Sequence, residues 1–533
     1  MKKKHFLLAV SVLLPIIAIL LWPLSSAKFN IEIDRSAYTN KISFLESLTS
    51  DSVNDQPNIL LIVVDDLGMA DLSLYGDRFP NTPNIDKIGA GGVVFENAYV
   101  TSPVCSPSRA AILTGRYQQR FGFQSQIHKR YLKNRLEYLG FNYLVDSYPW
   151  QPRWMNEVPD AESISRQGIP PSEILLPELL KKKGFDTALI GKWHLGTKQQ
   201  RTPCDFSFDY QFGFYDSHSL YAYEKTPGIH DQKVEDFTDP HIWSGQRNGP
   251  NAIYKNCEEI HVTEYLTDRF ADEAIEYFTN HKENPFFLYL SFNAPHTPLQ
   301  APESYMNLFK DIEDPVKRTY YAMIANLDDN IGKVMSSLES NGLDENTLVF
   351  FISDNGGAEY TRTTKNGQYK GGKLTNFEGG LKVPFIMRWK NHVKPQNFKP
   401  MVSSMDIFQT ITEIVDIALP EDRIYDGVNL LPYVTGQHIG SPHEYLFWQR
   451  GFSKSIRDNH WKLSINEDSQ DTILFNLQND LFETQNLFVK QKKQAKKMAI
   501  IHKIWSLSLP QPLWPPMIYF HFKDGSNEYY FDL

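Results

Sequence analysis

The segment from Asn58 to Val64 (N-I-L-L-I-V-V) constrains this chain more than any other, because every position after the first is apolar. A strand with no polar alternation has no solvent face, so both of its sides must be covered. Such strands belong to parallel sheets with helices packed above and below. Comparable runs recur at Ala188 to Gly191, Phe286 to Phe292 and Leu348 to Ser353. Helical periodicity lies between them, over Leu175 to Lys183, Val262 to His281 and Val316 to Ser340. This alternation predicts an α/β sandwich around a mostly parallel central sheet. A further amphipathic helix over Ser404 to Ile417 closes the large domain. After about Tyr425 the texture changes to short aromatic strands (Tyr445 to Gln449, His460 to Ile465, Thr472 to Asn476) and a basic helix around Lys490 to Trp505. These predict a small antiparallel sheet with one helix on it. The expected domains are therefore 28–424 (large α/β) and 425–533 (small α+β), preceded by a leader, 1–27.

That leader begins with Lys2, Lys3, Lys4 and His5, continues with the apolar run from Phe6 to Trp22, and ends in the small residues Ser25 and Ala27. It has the build of a signal peptide, and the run is also long enough for a retained membrane anchor. Either predicts export, to the periplasm or outside the cell. Residues 28 to 56 are polar and irregular, a linker or strap, and Gln199 to Ile260 is a long aromatic, Gly- and Pro-rich insertion. A net charge of -9 argues against a nucleic-acid partner. Any polyanionic substrate must then be met by local basic clusters. The three cysteines are Cys105, Cys204 and Cys257; the last two form either one disulfide or two buried thiols.

The first strand ends in Asp65-Asp66-Leu67-Gly68, where open α/β sheets bind ligands. Two neighbouring carboxylates repel unless a cation lies between them. A second acidic turn, Ser353-Asp354-Asn355-Gly356-Gly357, follows another buried strand. Three carboxylates and one amide carbonyl are all hard oxygen donors, suited to Ca²⁺ or Mg²⁺. In Gly191-Lys192-Trp193-His194 the cation and the imidazole are two apart and point the same way on an extended chain. Pro295 and Pro298 frame His296. In Lys370-Gly371-Gly372-Lys373 the glycines permit close approach, so Lys373 can reach an anion while Lys370 reads as a neighbouring surface charge.

The stretch Cys105 to Gly115 (C-S-P-S-R-A-A-I-L-T-G) resembles the sulfatase signature C-x-P-S-R-x-x-x-L-T-G at every defining position. Together with G-K-W-H-L-G, the two acidic turns and Lys373, the chain resembles the type I, formylglycine-dependent sulfatases from about Pro57 to Pro384, and more weakly beyond. The resemblance implies an alkaline-phosphatase-like α/β fold. It implies that a formylglycine-generating or sulfatase-maturing enzyme oxidises Cys105 to formylglycine, whose hydrated aldehyde is the nucleophile. It assigns Asp65, Asp66, Cys105 in that oxidised form, Asp354 and Asn355 to one Ca²⁺, and Cys105, Arg109, Lys192, His194, His296 and Lys373 to catalysis. His194 would serve the formylglycine hydroxyl and His296 the leaving alcohol, although the two roles can be exchanged.

A sulfated carbohydrate is the expected substrate, with carrageenan- or ulvan-type algal polymers as candidates and glycosaminoglycans and aryl sulfates still open. Gln124 to Asn142 interleaves His128, Lys129, Arg130, Lys133 and Arg135 with Tyr131 and Tyr138. Cations suit sulfates and aromatic faces suit sugar rings, though the same stretch also reads as a solvated amphipathic helix. A second candidate wall runs from Phe206 to Tyr254, with Tyr210, Tyr215, His218 and Trp243. His128, Arg130, Arg135 and His218 are the expected substrate contacts. Three other functions compete: a phosphatase or phosphodiesterase of the same fold, a silent sugar-binding protein whose Cys105 never matures, and a cysteine hydrolase using Cys105 and His194.

Overall fold

The computed structural model describes residues 2–29, 34–49, 56–76, 80–198, 200–281 and 284–533, with side chains in the first nine positions described only at His5. The side chains of Lys2, Lys3 and Lys4 in the expected basic start therefore lie outside the described residues, as do 30–33 and 50–55 of the expected linker and Gln199. The leader forms helix α1 (Lys2–Leu21). Among the described residues, no helix is long and apolar enough to cross a membrane.

In chain order, the strands that position the site are β1 (Asn58–Val64), β2 (Val93–Phe95), β3 (Trp150–Pro152), β4 (Asp186–Lys192), β5 (Tyr210–Phe214), β6 (Ile253–Lys255), β7 (Glu258–Ile260), β8 (Phe286–Ser291), β9 (Thr347–Ser353), β10 (Phe385–Trp389) and β11 (Gln396–Phe398). All but β3 join one ten-stranded sheet in the order β7-β6-β5-β4-β8-β1-β9-β10-β2-β11. The central strands β5, β4, β8, β1 and β9 run parallel, while β6 and β10 pair antiparallel beside them. β1 explains why: Ile59, Leu61 and Val63 enter one core, and Leu60, Ile62 and Val64 enter the other. Helix α2 (Cys105–Thr114) and α5 (Asp406–Ile414) cover the first face; α3 (Leu266–Asn280) and α4 (Pro315–Ser340) cover the second.

Two local expectations are corrected. Residues expected as an irregular strap include a helix, Arg35–Ser47, capped by Asp34. Its anchor is a charge: buried Lys41 pairs with Glu178 at 2.7 Å and donates to the carbonyls of Pro171 and Glu173, so no apolar stripe betrays it. The helix expected from Val262 starts instead at Leu266, because Arg247 donates to the carbonyls of Val262 and Glu264 and holds that approach extended.

Toward the C-terminus, β12 (Leu446–Arg450), β13 (Ser453–Arg457), β14 (Trp461–Asn466) and β15 (Thr472–Asn476) form an antiparallel sheet covered by α6 (Lys492–Ser506). A last hairpin, β16 (Ile518–Asp524) and β17 (Asn527–Asp532), adds β3 at its edge. This sheet is tied to the large one by buried charges. Lys462 on β14 lies 3.0 Å from both Glu378 and Glu483, and Arg457 on β13 lies 3.1 Å from Glu378. Tyr99 donates to the same carboxylate at 2.6 Å. Removing one partner of a buried ion pair costs about 3–5 kcal/mol, because the other charge is stranded. Glu378→Ala is therefore expected to lower the calorimetric unfolding temperature by several degrees. Arg362→Ala, which breaks the exposed pair with Glu235, should leave it unchanged.

Candidate active site and metal centre

The site forms where the parallel strands end. β1 delivers Asp65 and Asp66, β9 delivers Asp354 and Asn355, β4 ends at Lys192 before His194, and β8 leads to His296. Cys105 is the first residue of α2, which places Arg109 one turn further in. Close approach requires glycine at two points: a Cβ on Gly191 would meet the Ser291 carbonyl at 1.9 Å, and one on Gly356 would meet that of Gly379 at 1.8 Å. Asp66 and His194 take left-handed backbone conformations, with φ of 64° and 56°, which turn both side chains at the strand ends.

Around this frame the charges interlock. Cys105 Sγ lies 3.3 Å from Asp65 Oδ1 and 3.7 Å from Asp66 Oδ1. Lys192 Nζ is 2.6 Å from Asp65, and Lys373 Nζ is 2.8 Å from Asp66. Arg109 donates through Nε to Asp354 at 2.8 Å, and its second terminal nitrogen lies 3.7 Å from Asp65. Asn355 donates to Asp66 at 2.8 Å, and its side-chain oxygen Oδ1, buried, has no partner. His296 uses Nδ1 on the Thr297 carbonyl, leaving Nε2 3.6 Å from Asp66.

Burial, then the charge of Asp65, pushes Asp354 up to about 7. That is the repulsion expected of buried carboxylates without a cation between them. Asp65 is held well below the usual carboxylate range: burial opposes this, but Lys192 and the neighbouring cations prevail. Burial and the carboxylates of Asp354 and Asp65 push the Cys105 thiol well up. That direction disfavours the thiolate that a cysteine hydrolase uses. Burial, then the charges of Lys192 and Arg109, holds His194 far below its ordinary value. His296 falls to about 4, from burial and then Lys373.

The expected catalytic residues thus converge. The metal set differs: the carboxylate, thiol and imidazole ligand atoms that lie within 4.8 Å of one another belong to Asp65, Asp66, Cys105 and His296, so His296 joins the expected group and Asp354 does not. Asp354 is partly spent on Arg109, and the anchored His296 ring turns Nε2 inward instead. The residues fit a cation all the same, since hard carboxylate oxygens surround the space and the unpartnered Asn355 Oδ1 adds another donor.

The expected substrate contacts do not stay together. Arg130 is exposed, and His218 lies at the site's edge, its ring within electrostatic reach of His296 and Lys192. His128 is instead buried against Tyr131, and Arg135 packs over Trp154 beside a different cavity, lined by α1. In the insertion, Tyr215 and Trp243 are buried core residues, and Tyr210 packs on Tyr277. They form no wall, because aromatic content alone does not separate a core from a binding face. Lys370 is not a free surface charge: it pairs with Asp524 at 2.7 Å and lies over the Phe377 ring. Cys204 and Cys257 form a disulfide.

Three residues escaped the sequence. Ser291 accepts from Arg109 at 2.5 Å and donates to the Lys192 carbonyl. The Tyr221 hydroxyl lies 2.6 Å and 2.8 Å from the carbonyls of Asn293 and His296. Asn366 stitches the Gly357 N–H and carbonyl to the Gly371 carbonyl, setting Lys373 against the second acidic turn. Only Asn366-Gly367, a turn signal between two motifs, offered any clue.

Titrating the metal-free protein with Ca²⁺ is expected to raise its unfolding temperature, since ligand at a hundred times Kd adds about 2.7 kcal/mol. Asp66→Asn should abolish the rise. A larger rise with Zn²⁺ would instead favour the Cys105–His296 side of the cluster.

Comparison with known proteins agrees with this geometry. The sulfatase family model matches residues 57–417, and a model described as N-sulphoglucosamine sulphohydrolase, C-terminal, matches residues 372–509. N-acetylgalactosamine-6-sulfatase of Rattus norvegicus is 34% identical over 402 residues, covering 72% of this chain and 66% of that protein. The Homo sapiens protein of the same name is 33% identical over 414 residues, covering 74% and 68%. The chain thus spans about two thirds of the length of these curated relatives. Among solved structures, Ps i-CgsB in complex with k-i-k-neocarrahexaose superposes with a TM-score of 0.70 at 30% identity, covering 86% of this chain and 94% of that one. The fold is therefore alkaline-phosphatase-like, and a family match over most of the chain accompanies a buried cluster of Cys105, Arg109, Lys192, His194, His296 and Lys373. This chain belongs to the sulfatase family of sulfuric ester hydrolases.

Proposed function

We propose that this protein removes sulfate from a sulfated carbohydrate, with galactose-based chains of the carrageenan type favoured over ulvan. One observation carries the mechanism: Cys105, at the start of α2, faces paired carboxylates while three buried cations, Arg109, Lys192 and Lys373, close the same pocket. The substrate class draws support from the relatives named for N-acetylgalactosamine 6-sulfate and from the neocarrahexaose bound by Ps i-CgsB.

Oxidised to formylglycine by a maturing enzyme and then hydrated by one water, position 105 would carry two hydroxyls on one carbon, one to attack sulfur and one whose proton loss drives release of sulfate and restores the aldehyde. Asp65, Asp66, Asp354 and Asn355 would hold a Ca²⁺, and the chemistry such an ion would supply is positive charge beside the sulfate. The chain's own residues do the rest. Arg109 is fixed by Asp354 and Ser291, so its guanidinium keeps one orientation toward position 105. Lys373 is free to turn an N–H from Asp66 to an entering sulfate, because an ammonium has three donors. Such preorganised charge stabilises the transition state without rearrangement. His194, with Nδ1 unpartnered, is the base for the hydroxyl at position 105. His296 is the acid for the leaving alcohol, and the anionic sulfate beside its ring raises its proton affinity as it enters.

The proposal includes export by the 1–27 leader, cleaved or retained as an anchor. The Cys204–Cys257 disulfide favours an oxidising compartment. It also includes the division into 28–424 and 425–533.

The test is sulfate release from defined sulfated oligosaccharides by protein produced with a maturing enzyme, alongside a peptide mass at position 105. Cys105→Ala is expected to abolish release, and Lys373→Met to lower kcat/KM by about 10²–10³, as for loss of one oxyanion donor. Faster turnover of phosphate than of sulfate monoesters would favour the phosphatase alternative. An unmodified thiol with no hydrolysis would favour the silent sugar-binding one.

A further inference from the structure

A cavity of about 390 Å³ is walled by three segments distant in sequence, 129–152, 237–241 and 517–518. Its lining is aromatic on one side. Phe141 and Phe237 meet edge to face at 5.5 Å, Phe237 and His241 at 5.7 Å, and Trp150 is fixed by donating to Asp236 at 2.7 Å. On the other side stand Lys129 and Arg130, 58% and 54% exposed, while their partners Asp216 and Glu137 are only 10% and 19% exposed. The cationic side chains are thus more exposed than the carboxylates they pair with, and each retains N–H donors that its one partner does not use.

Two routes join this cavity to the reaction centre. Trp150 packs on Tyr360 at 5.1 Å, and Tyr360 lies within electrostatic reach of Lys373 and Asp66. Lys129 pairs with Asp216 at 2.7 Å, and Asp216 neighbours His218, which lies within electrostatic reach of His296 and Lys192. Trp150 and Phe237 also pack in one apolar cluster with Val104 and Leu374, the chain neighbours of Cys105 and Lys373.

We propose that this cavity is a second saccharide subsite, holding an anionic sugar residue adjacent in the chain to the one that loses sulfate. The proposal rests on the function above and adds to it that the natural substrate is an oligosaccharide or polymer. The volume falls in the range of small-ligand pockets. An aromatic face accepts the C–H side of a sugar ring, and the two rim cations accept a sulfate or carboxylate. The chain's overall charge of -9 makes such local cations necessary for a polyanion.

The matured full-length protein tests this with two probes, a carrageenan-derived tetrasaccharide and 4-methylumbelliferyl sulfate. In Phe237→Ala/His241→Ala and in Lys129→Met/Arg130→Met, the ratio of kcat/KM for tetrasaccharide to that for aryl sulfate is expected to fall about tenfold or more, mainly through KM. An unchanged ratio in both variants overturns the subsite. A loss confined to the Phe237/His241 variant overturns its anionic preference. If no protein hydrolyses either ester, the proposed function falls, yet the subsite is still decided by calorimetric binding of the tetrasaccharide to Cys105→Ala. There, an equal Kd with and without Phe237→Ala/His241→Ala overturns it.

Discussion

Buried carboxylates that repel one another hold this structure's function together. Asp65, Asp66 and Asp354 meet at the ends of adjacent parallel strands, all essentially without solvent. Such a cluster persists only if positive charge reaches it, and the chain supplies Lys192, Lys373 and Arg109 from three other segments. The same repulsion creates the cation site. The fold therefore gathers three cations and Cys105 at one point because the strand ends would otherwise be untenable.

The sheet makes that convergence possible. A parallel arrangement points β1, β4, β8 and β9 the same way, so four strand ends contribute to one edge. Covering both faces buries the sheet completely and leaves that edge as the place where polar groups can gather. Gly191 and Gly356 let neighbouring backbones close to distances that no side chain would allow. The C-terminal sheet braces the arrangement, since Lys462 and Arg457 grip Glu378 immediately before the Gly379 that packs on Gly356.

Much of this was legible in the primary structure, for identifiable reasons. The apolar runs marked the sheet because an all-apolar strand admits few other environments. Cys105, Arg109, Lys192, His194, His296 and Lys373 stood in short motifs whose order and spacing resembled one family. The Arg35–Ser47 helix was hidden because its anchor is Lys41, a residue that ordinarily signals solvent. Tyr215 and Trp243 misled in the opposite sense, since aromatic residues fill cores and line sugar sites alike. Ser291, Tyr221 and Asn366 act through partners brought close by folding, the Arg109 guanidinium and backbone groups, so local pattern says little of them beyond the Asn366-Gly367 turn.

The sequence alone determined the α/β class, the acidic turns, and the family to which the cysteine motif points, because these depend on local periodicity and on residue types at fixed offsets. Only the tertiary structure decided that His296 turns Nε2 into the acidic cluster, that His128 and Arg135 part company with Arg130, and that segments from three regions enclose one cavity. Those outcomes depend on distances between residues tens to hundreds of positions apart. Such distances are set by how the sheet, the insertion and the C-terminal hairpin pack, and no local stretch of chain contains them.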